Sequence, residues 1–178
     1  MTATQQQESS EARSLDQLLE DDEHIAMIMT MIDGVHSARP VTCLEVRDGQ
    51  LSFLVSRATE WAAAIEDGRA TVHLTVADDK EGLYLSLNGS ARLSHDRQDI
   101  DRLWNPYAAV YFDGPQDLDV AVLQFDTSDG QYWESADSKI GRAVSMIRAA
   151  MTGDRSDIGS SGAVLATEAD GRSQGEPL

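Results

Sequence analysis

The sequence predicts a mainly β (α+β) domain, in which six or seven antiparallel strands form a small barrel with helices at its periphery. Short apolar runs, several of them alternating with polar residues, recur along the middle of the chain, as half-buried strands do. Asp33-Gly34 and Asp48-Gly49 separate consecutive runs and predict tight hairpins, because glycine adopts the positive φ that such turns require. Helical segments are few and unevenly spaced, which argues against a doubly wound parallel sheet.

The ordered region is predicted to be one domain over residues 14–152. A chain of 178 residues with 41% hydrophobic and 25% charged residues has the composition of a globular protein. Both ends hold few apolar side chains, so they cannot bury enough surface to offset the entropy of ordering them. We therefore expect residues 1–13 to form a disordered tail and residues 153–178 to form a flexible one.

The strands are predicted from apolar periodicity and from the turn residues between them. They are expected at residues 25–32, 35–46, 51–56, 70–76, 82–94, 120–126 and 131–135. In residues 82–94 apolar side chains alternate cleanly with polar ones, so one face of this strand belongs to a core. Ser128-Asp129-Gly130 separates the last two runs and predicts a final hairpin.

The helices are predicted from residues that begin or end them. They are expected to begin at Ser14, Thr59, Asp96 and Ser138. Ser14 and Gln17 form a capping box, and in the second helix Trp61 lies on the apolar face and Gly68 ends the helix. Asn105-Pro106 stops the third helix, because the residue before proline avoids the helical conformation.

The net charge of −17 argues against several classes of partner. A nucleic-acid backbone or an anionic membrane surface requires clustered cations, and this chain has only two lysines and scattered arginines. We therefore expect no nucleic-acid and no membrane partner. The longest apolar stretch, residues 25–32, is too short to cross a bilayer. Because there is a single cysteine and no secretory leader pattern, a cytoplasmic location is expected.

Motifs of the common enzyme classes are missing from the sequence. It contains no phosphate loop, no GxGxxG and no GxSxG, and its four histidines lack a metal-binding spacing, so no metal site is predicted. Cys43 is interpreted as a half-buried strand residue. Hydrogen-bond donors concentrate in residues 36–40, where Arg39 either contacts a phosphate or carboxylate or pairs with a surface acid. The spacing leaves both interpretations open.

Five segments carry a resemblance to a known family. They are MIMTMIDGVHSARPV, LSFLVSRATEWAAAIED, LYLSLNGSARL, IDRLWNPYAAVYF and QYWESADSKIGRAV, in this order within residues 22–152. Together they resemble the general stress protein branch of the pyridoxamine 5′-phosphate oxidase-like family. The combination of SARPV, LWNP and the Tyr-Trp pair before the last helix is the specific part of this likeness.

The resemblance implies a split β-barrel that forms a homodimer and binds FMN, or FAD in some members, in a groove between the subunits. It places Arg39 at the flavin, with Pro40 and Val41 along the edge of the isoalloxazine ring. Ser56 and Thr59 match the turn and helix start that approach the phosphate. Trp133 matches an aromatic residue that the partner subunit offers, and Lys139 matches a lysine at the start of the last helix.

Two residues depart from the family pattern. Val55 stands where a hydroxyl residue is usual, and Trp61 stands where a lysine is usual, and both usual residues would bind the FMN phosphate.

The resemblance and these departures leave three hypotheses. The first is a flavin-dependent oxidoreductase that uses a reduced nicotinamide. The second is a member that has lost the flavin and acts as a dimeric binding or regulatory module. A third, haem or a deazaflavin in the same groove, ranks last, and no catalytic residue or substrate is identified.

Overall fold

The computed structural model describes residues 12–19, 23–66, 68, 71–135 and 159–164. Within these ranges the strands are β1 (His24–Ile32), β2 (Val35–Arg47), β3 (Gln50–Ser56), β4 (Thr71–Asp78), β5 (Leu83–Ser94), β6 (Val120–Ser135) and β7 (Gly159–Val164). The helices are α1 (Leu15–Leu18), α2 (Glu60–Glu66), α3 (Arg97–Leu103) and α4 (Ala108–Tyr111). None of these helices has the length and apolar character needed to span a membrane. The helix predicted from Ser138 lies outside the described residues.

Six of the strands close into an antiparallel barrel in the order β3-β2-β1-β4-β5-β6. Pairing of residues 50–56 of β3 with residues 120–126 of β6 completes the closure. β7 pairs with the second half of β6 and lies outside the closed barrel. The predicted mainly β fold, with six or seven antiparallel strands and peripheral helices, is therefore confirmed.

Two clusters of apolar side chains hold the barrel together. The interior cluster receives side chains from every barrel strand, and Phe53 and Phe125 are its largest fully buried members. The second cluster packs Ile100 and Leu103 of α3 against β6 residues that include Val122. Because alternate residues of a strand face opposite sides, β6 contributes to both clusters and is buried on both faces.

The two predicted Asp-Gly hairpins are present. Asp33 and Gly34 have φ values of 50° and 80°, and Asp48 and Gly49 have φ values of 51° and 76°. Two consecutive positive φ values are the geometry of the type I′ turn, which matches the twist of paired strands. The carboxylate of Asp16 accepts hydrogen bonds from the N–H groups of Asp48 and Gly49, at 3.1 and 3.0 Å, and so ties α1 to the second turn.

The starts of α1 and α3 agree with their predicted capping residues. Ser14 and Gln17 form the reciprocal capping box of α1, and the carboxylate of Asp96 accepts from the N–H of Gln98 at 2.9 Å to cap α3. The hydroxyl of Thr59 donates to the carbonyl of Ser56 at 2.9 Å, so it closes the turn between β3 and α2.

The hairpin predicted across Ser128-Asp129-Gly130 is wrong. Residues 120–126 and 131–135 belong to one continuous strand, Val120–Ser135, which runs along nearly the whole of β5. Asn88 of β5 pairs with Asp129, and Gly89 pairs with Thr127. Ser128 is therefore an extra residue in β6, and the register shifts there. A bulge of this kind bends a strand without reversing it, and the local turn signal does not distinguish the two outcomes.

Glycines along this pairing are needed for close approach rather than for turning. A Cβ added at Gly130 would lie 2.6 Å from Leu87 Cδ2. A Cβ at Gly89 would overlap the backbone carbonyl oxygen of Asp126 and lie 2.7 Å from Phe125 Cζ. The long β5–β6 contact therefore requires both positions to lack a side chain.

β7 lies inside residues 153–178, the range predicted as a flexible tail. It covers one edge of β6 and buries Val164 to 5% exposure. Arg13, which falls in the predicted N-terminal tail, bridges to Val164 through the backbone and forms an ion pair with Glu134 at 2.9 Å. An open strand edge offers unpaired N–H and C=O groups, and this pairing satisfies them although the segment itself is poor in apolar residues.

Replacing Gly89 by alanine is expected to destabilise the barrel by about 2 kcal/mol, because the new methyl group would overlap backbone that cannot move aside. Urea unfolding at fixed protein concentration measures this change. The matched control is Ser90→Ala, an exposed position on the same strand, which should change stability by less than about 0.5 kcal/mol. Equal stabilities of the two variants would contradict the close approach of β5 and β6.

Candidate functional site

A groove of about 740 Å³ lies on the barrel surface, between β2–β3 and the segment that contains α4. Its floor is formed by Pro40, Val41, Thr42, Leu44, Leu54 and Val55, all of which are apolar except Thr42. The opposite wall is formed by Tyr107, Ala108, Tyr111 and Phe112. Ser56, Trp61 and Asp119 line the end of the groove that adjoins the turn between β3 and α2. A volume of this size falls within the usual range for sites of small ligands and cofactors, roughly 300–1,000 Å³.

The α4 wall was not predicted from the sequence, since four residues are too few to show a helical period. The side chain of Asn105 holds its start, because Oδ1 accepts from the N–H of Ala108 at 2.9 Å while Nδ2 donates to Glu23 at 3.2 Å. Arg97 of α3 holds the following loop by donating to the carbonyl of Pro115 at 2.7 Å. The wall is thus positioned by long-range contacts.

The structure brings five of the predicted site residues together in the groove lining, namely Pro40, Val41, Val55, Ser56 and Trp61. Arg39 and Thr59 lie behind the lining and contact it through Trp61 and Ser56. Trp133 lies on β6, away from the groove, and Lys139 lies outside the described residues.

Arg39 is held in place by hydroxyls and by a ring. Its guanidinium donates to Thr30 Oγ1 at 3.0 Å and to Ser37 Oγ at 2.7 Å, and its Cζ lies 4.8 Å from the centre of the Trp61 ring. Partial burial lowers the pKa of Arg39 from its ordinary value, but an arginine keeps its charge at neutral pH. Within the part of the chain that the structure describes, Arg39 forms no ion pair with a surface acid. Its contacts are those of a guanidinium stacked on an indole.

The turn between β3 and α2 is closed by a carboxylate that the sequence did not point to. Asp119 Oδ2 accepts from Ser56 Oγ at 2.6 Å, and Asp119 Oδ1 accepts from the N–H of Ala58 at 2.9 Å. The Asp119 carbonyl also accepts from the N–H of Arg57 at 2.9 Å. Asp119 is 63 residues from Ser56 and reaches it because Ser56 pairs with Val120 across β3–β6.

The residues present suit a flat ring better than a phosphate. The groove floor is apolar, and a ring beside Trp61 could stack on it. At the end where a flavin phosphate is expected, Val55 is 5% exposed and carries no donor, and the indole of Trp61 carries no charge. The Ser56 hydroxyl and the Ala58 amide already bind Asp119. This end of the groove does not fit the phosphate of FMN.

An exposed apolar strip crosses the outer face of the barrel next to the groove. It consists of Ile25, Met27, Tyr84 and Trp133, which are 67%, 41%, 37% and 44% exposed. Tyr84 and Trp133 are directly paired across β5–β6, and Ile25 also lines the groove. Exposed apolar patches of this kind mark surfaces that bind another molecule.

A polar network borders the strip on β4 and β5. His73 contacts Asn88 Oδ1 through Nδ1 at 2.8 Å and Ser86 Oγ through Nε2 at 3.3 Å. Asn88 in turn donates to Asp129 at 2.7 Å. Polar groups around an apolar centre are the usual arrangement of a protein interface. Within the described ranges, His, Cys, Asp and Glu side chains form no group of three or more that could hold a metal ion.

The sequence matches the family model described as pyridoxamine 5′-phosphate oxidase like over residues 10–157, well over half of the chain. The chain belongs to this family. The resemblance drawn from the sequence is thereby confirmed, and the barrel described above is the one that this family predicts. No curated protein matches the chain.

Solved structures support the same branch. General stress protein 26 from Jannaschia sp. CCS1 has a TM-score of 0.68 and 27% identity, over 78% of this chain and 89% of that one. The general stress FMN/FAD binding protein from Xanthomonas citri has a TM-score of 0.54 and 32% identity, over 63% of this chain and 82% of that one. A protein related to general stress protein 26 from Clostridium acetobutylicum, at 22% identity and a TM-score of 0.56 over 67% and 84% of the two chains, supports the fold alone.

The only cysteine of this pyridoxamine 5′-phosphate oxidase-like chain is buried rather than half-buried as predicted. Cys43 is 2% exposed and its thiol contacts the carbonyl of Glu45 at 3.5 Å. Burial is the main cause that raises the pKa of Cys43 to about 12. The thiolate is therefore disfavoured in the folded protein at pH 8–9, whereas a free cysteine with a pKa of about 8.5 is substantially ionised there.

We expect the folded protein at pH 8 to react with a thiol reagent such as Ellman's at least roughly 100-fold more slowly than the unfolded chain in guanidinium, because reaction requires opening of the barrel. The rate of absorbance change measures this difference. The Cys43→Ser variant, which has no thiol, provides the background. Similar rates in folded and unfolded protein would show that the thiol is accessible.

Proposed function

We propose that this protein is a flavin-binding, oxidoreductase-like member of the general stress type, with the isoalloxazine ring held in the groove at a homodimer interface. The observation that carries the proposal is the groove itself, whose apolar floor includes Pro40 and Val41 and whose end is formed by Trp61 under the Arg39 guanidinium. The 32% identity to a protein described as FMN/FAD binding supports the choice of a flavin.

Ring binding rests on shape and on π contacts. A flat heteroaromatic ring laid along the floor would contact aliphatic side chains, and the exposed rings of Tyr107 and Tyr111 form the opposite wall. The guanidinium stacked on Trp61 places a positive charge beside that end of the groove. FMN and FAD share this ring, so either one meets the same contacts.

The homodimer is supported by the exposed apolar strip. Covering Ile25, Met27, Tyr84 and Trp133 with a second copy would remove a continuous apolar surface from water. Because Ile25 belongs both to the strip and to the groove, the partner would border the bound ring and narrow its access to water. The aromatic side chain that a partner offers in this arrangement is Trp133.

A bound flavin supplies the electron or hydride transfer, with a reduced nicotinamide as the donor in this proposal. The residues of the chain bind and orient the ring and exclude water from one of its faces. None of the groove side chains is assigned a catalytic role.

A flavin-free binding or regulatory module is the second candidate. It is favoured by one observation, the phosphate end of the groove. There Val55 offers no side-chain donor, Trp61 carries no charge, and the Asp119 carboxylate accepts the hydrogen bonds of the Ser56 hydroxyl and the Ala58 N–H. In this candidate the dimeric barrel is kept and the groove takes another ligand.

Titration of the purified protein with FMN, FAD and riboflavin separates the two candidates. We expect quenching of flavin fluorescence by the protein, and a loss of affinity of about tenfold in Arg39→Ala, because the cation beside Trp61 is removed. The matched control is Arg92→Ala, because the Arg92 side chain is 60% exposed and does not line the groove. Failure of all three flavins to bind at about millimolar concentration would favour the flavin-free module.

Light scattering is expected to give twice the chain mass of 19.4 kDa. Trp133→Glu should produce monomers, because it places a charge in the centre of an apolar contact. Leu118→Glu is the matched control, since Leu118 is 78% exposed but lies outside the strip. A wild-type mass of one chain, or dimers of the Trp133 variant as stable as those of the wild type, would contradict the proposed interface.

A further inference from the structure

We infer that the groove binds its flavin by the ring alone and selects against the phosphate, so that riboflavin binds at least as tightly as FMN. This inference rests on the proposed flavin site and names the class of ligand that the site takes, an uncharged ring compound. It follows from how the chain fills the position where a phosphate would otherwise be bound.

Four donors of the β3–α2 turn are already used within the chain. The Ser56 hydroxyl and the Ala58 N–H both donate to the Asp119 carboxylate, the Arg57 N–H donates to the Asp119 carbonyl, and the Thr59 hydroxyl donates to Ser56. A phosphate arriving here would have to displace a carboxylate that already has charge-assisted hydrogen bonds. Exchanging the carboxylate for a phosphate would therefore add no hydrogen bond to these donors.

The charge at this end of the groove also opposes an anion. Asp119 lines the groove, and its N–H donates to the carboxylate of Asp117 at 2.9 Å. Asp117 also accepts from the N–H of Asp113 at 3.1 Å, and these backbone hydrogen bonds lower the pKa of Asp117. The Asp117 carboxylate is therefore held in its charged form next to Asp119, close to the place where a dianion would have to sit, and like charges repel.

The Arg39 guanidinium is held by hydroxyl groups that lie outside the groove lining. Arg39 donates to Thr30 and Ser37 on β1 and β2 and lies over the ring of Trp61, and it does not line the groove. Its contacts favour a π system beside Trp61 rather than an oxyanion beside Ser56. The apolar floor and this stack remain as the binding features, and both act on the ring.

The test compares dissociation constants of riboflavin and FMN for the wild-type protein by fluorescence quenching. We expect the FMN constant to be equal to or larger than the riboflavin constant. Asp119→Asn keeps one acceptor for the turn and removes the charge, so it should shift the ratio about tenfold toward FMN. Asp101→Asn removes a charge of the same kind from an exposed position of α3 outside the groove, and should leave the ratio unchanged.

A second variant keeps the test independent of the stability of the Asp119 substitution. The double change of Trp61→Lys with Val55→Thr introduces a cation and a hydroxyl at the phosphate end, and should also shift the ratio toward FMN by tenfold or more, as expected for about 1.4 kcal/mol or more of added interaction. Melting temperatures of all variants establish that the ratios are measured on folded protein.

The outcomes separate the inference from the function on which it rests. Wild-type protein that binds FMN more than about tenfold tighter than riboflavin overturns the inference and leaves the flavin site standing. Unchanged ratios in both the Asp119 variant and the double variant overturn the inference as well. Failure of both flavins to bind the wild type overturns the proposed function and the inference with it.

Discussion

Pairing of β3 with β6 is the contact on which both the barrel and the groove depend. It closes the sheet, so that every barrel strand has two neighbours, and it buries both faces of β6. The same register sets Ser56 opposite Val120 and therefore brings Asp119 against the turn that follows β3. The chemistry of that turn is a consequence of barrel closure and not of local sequence.

The chain has the barrel of its family, and one end of its groove does not fit the phosphate of a flavin. Val55 and Trp61, which the resemblance sets against a hydroxyl residue and a lysine, are both compatible with the fold, because Val55 is buried in the barrel wall and Trp61 packs against the core. Arg39 then stacks on the indole instead of facing an anion. A cluster of aspartates around Asp117 adds negative charge, in keeping with the acidity of the whole chain. A binding site can thus be altered without altering the scaffold.

Much of the fold could be predicted from the sequence because its signals are local. The type I′ turns at Asp33-Gly34 and Asp48-Gly49, the capping box of Ser14 and the alternation of β5 each depend on residues within a few positions of each other. The prediction failed where one local signal allows two structures. Ser128-Asp129-Gly130 has the composition of a turn but forms a bulge in β6, since both conformations favour the same small polar residues.

For the candidate site, the sequence by itself identified part of the groove lining, including Pro40, Val41 and Trp61, since the matching segments contain these positions. Only the tertiary structure decided how they are arranged: that Arg39 lies on Trp61, that Asp119 occupies the donors of Ser56, and that residues 159–164 cover the edge of β6. The physical reason is the distance along the chain. Local propensity acts over one turn of helix or one hairpin, whereas these contacts join residues that only barrel closure and strand pairing bring together.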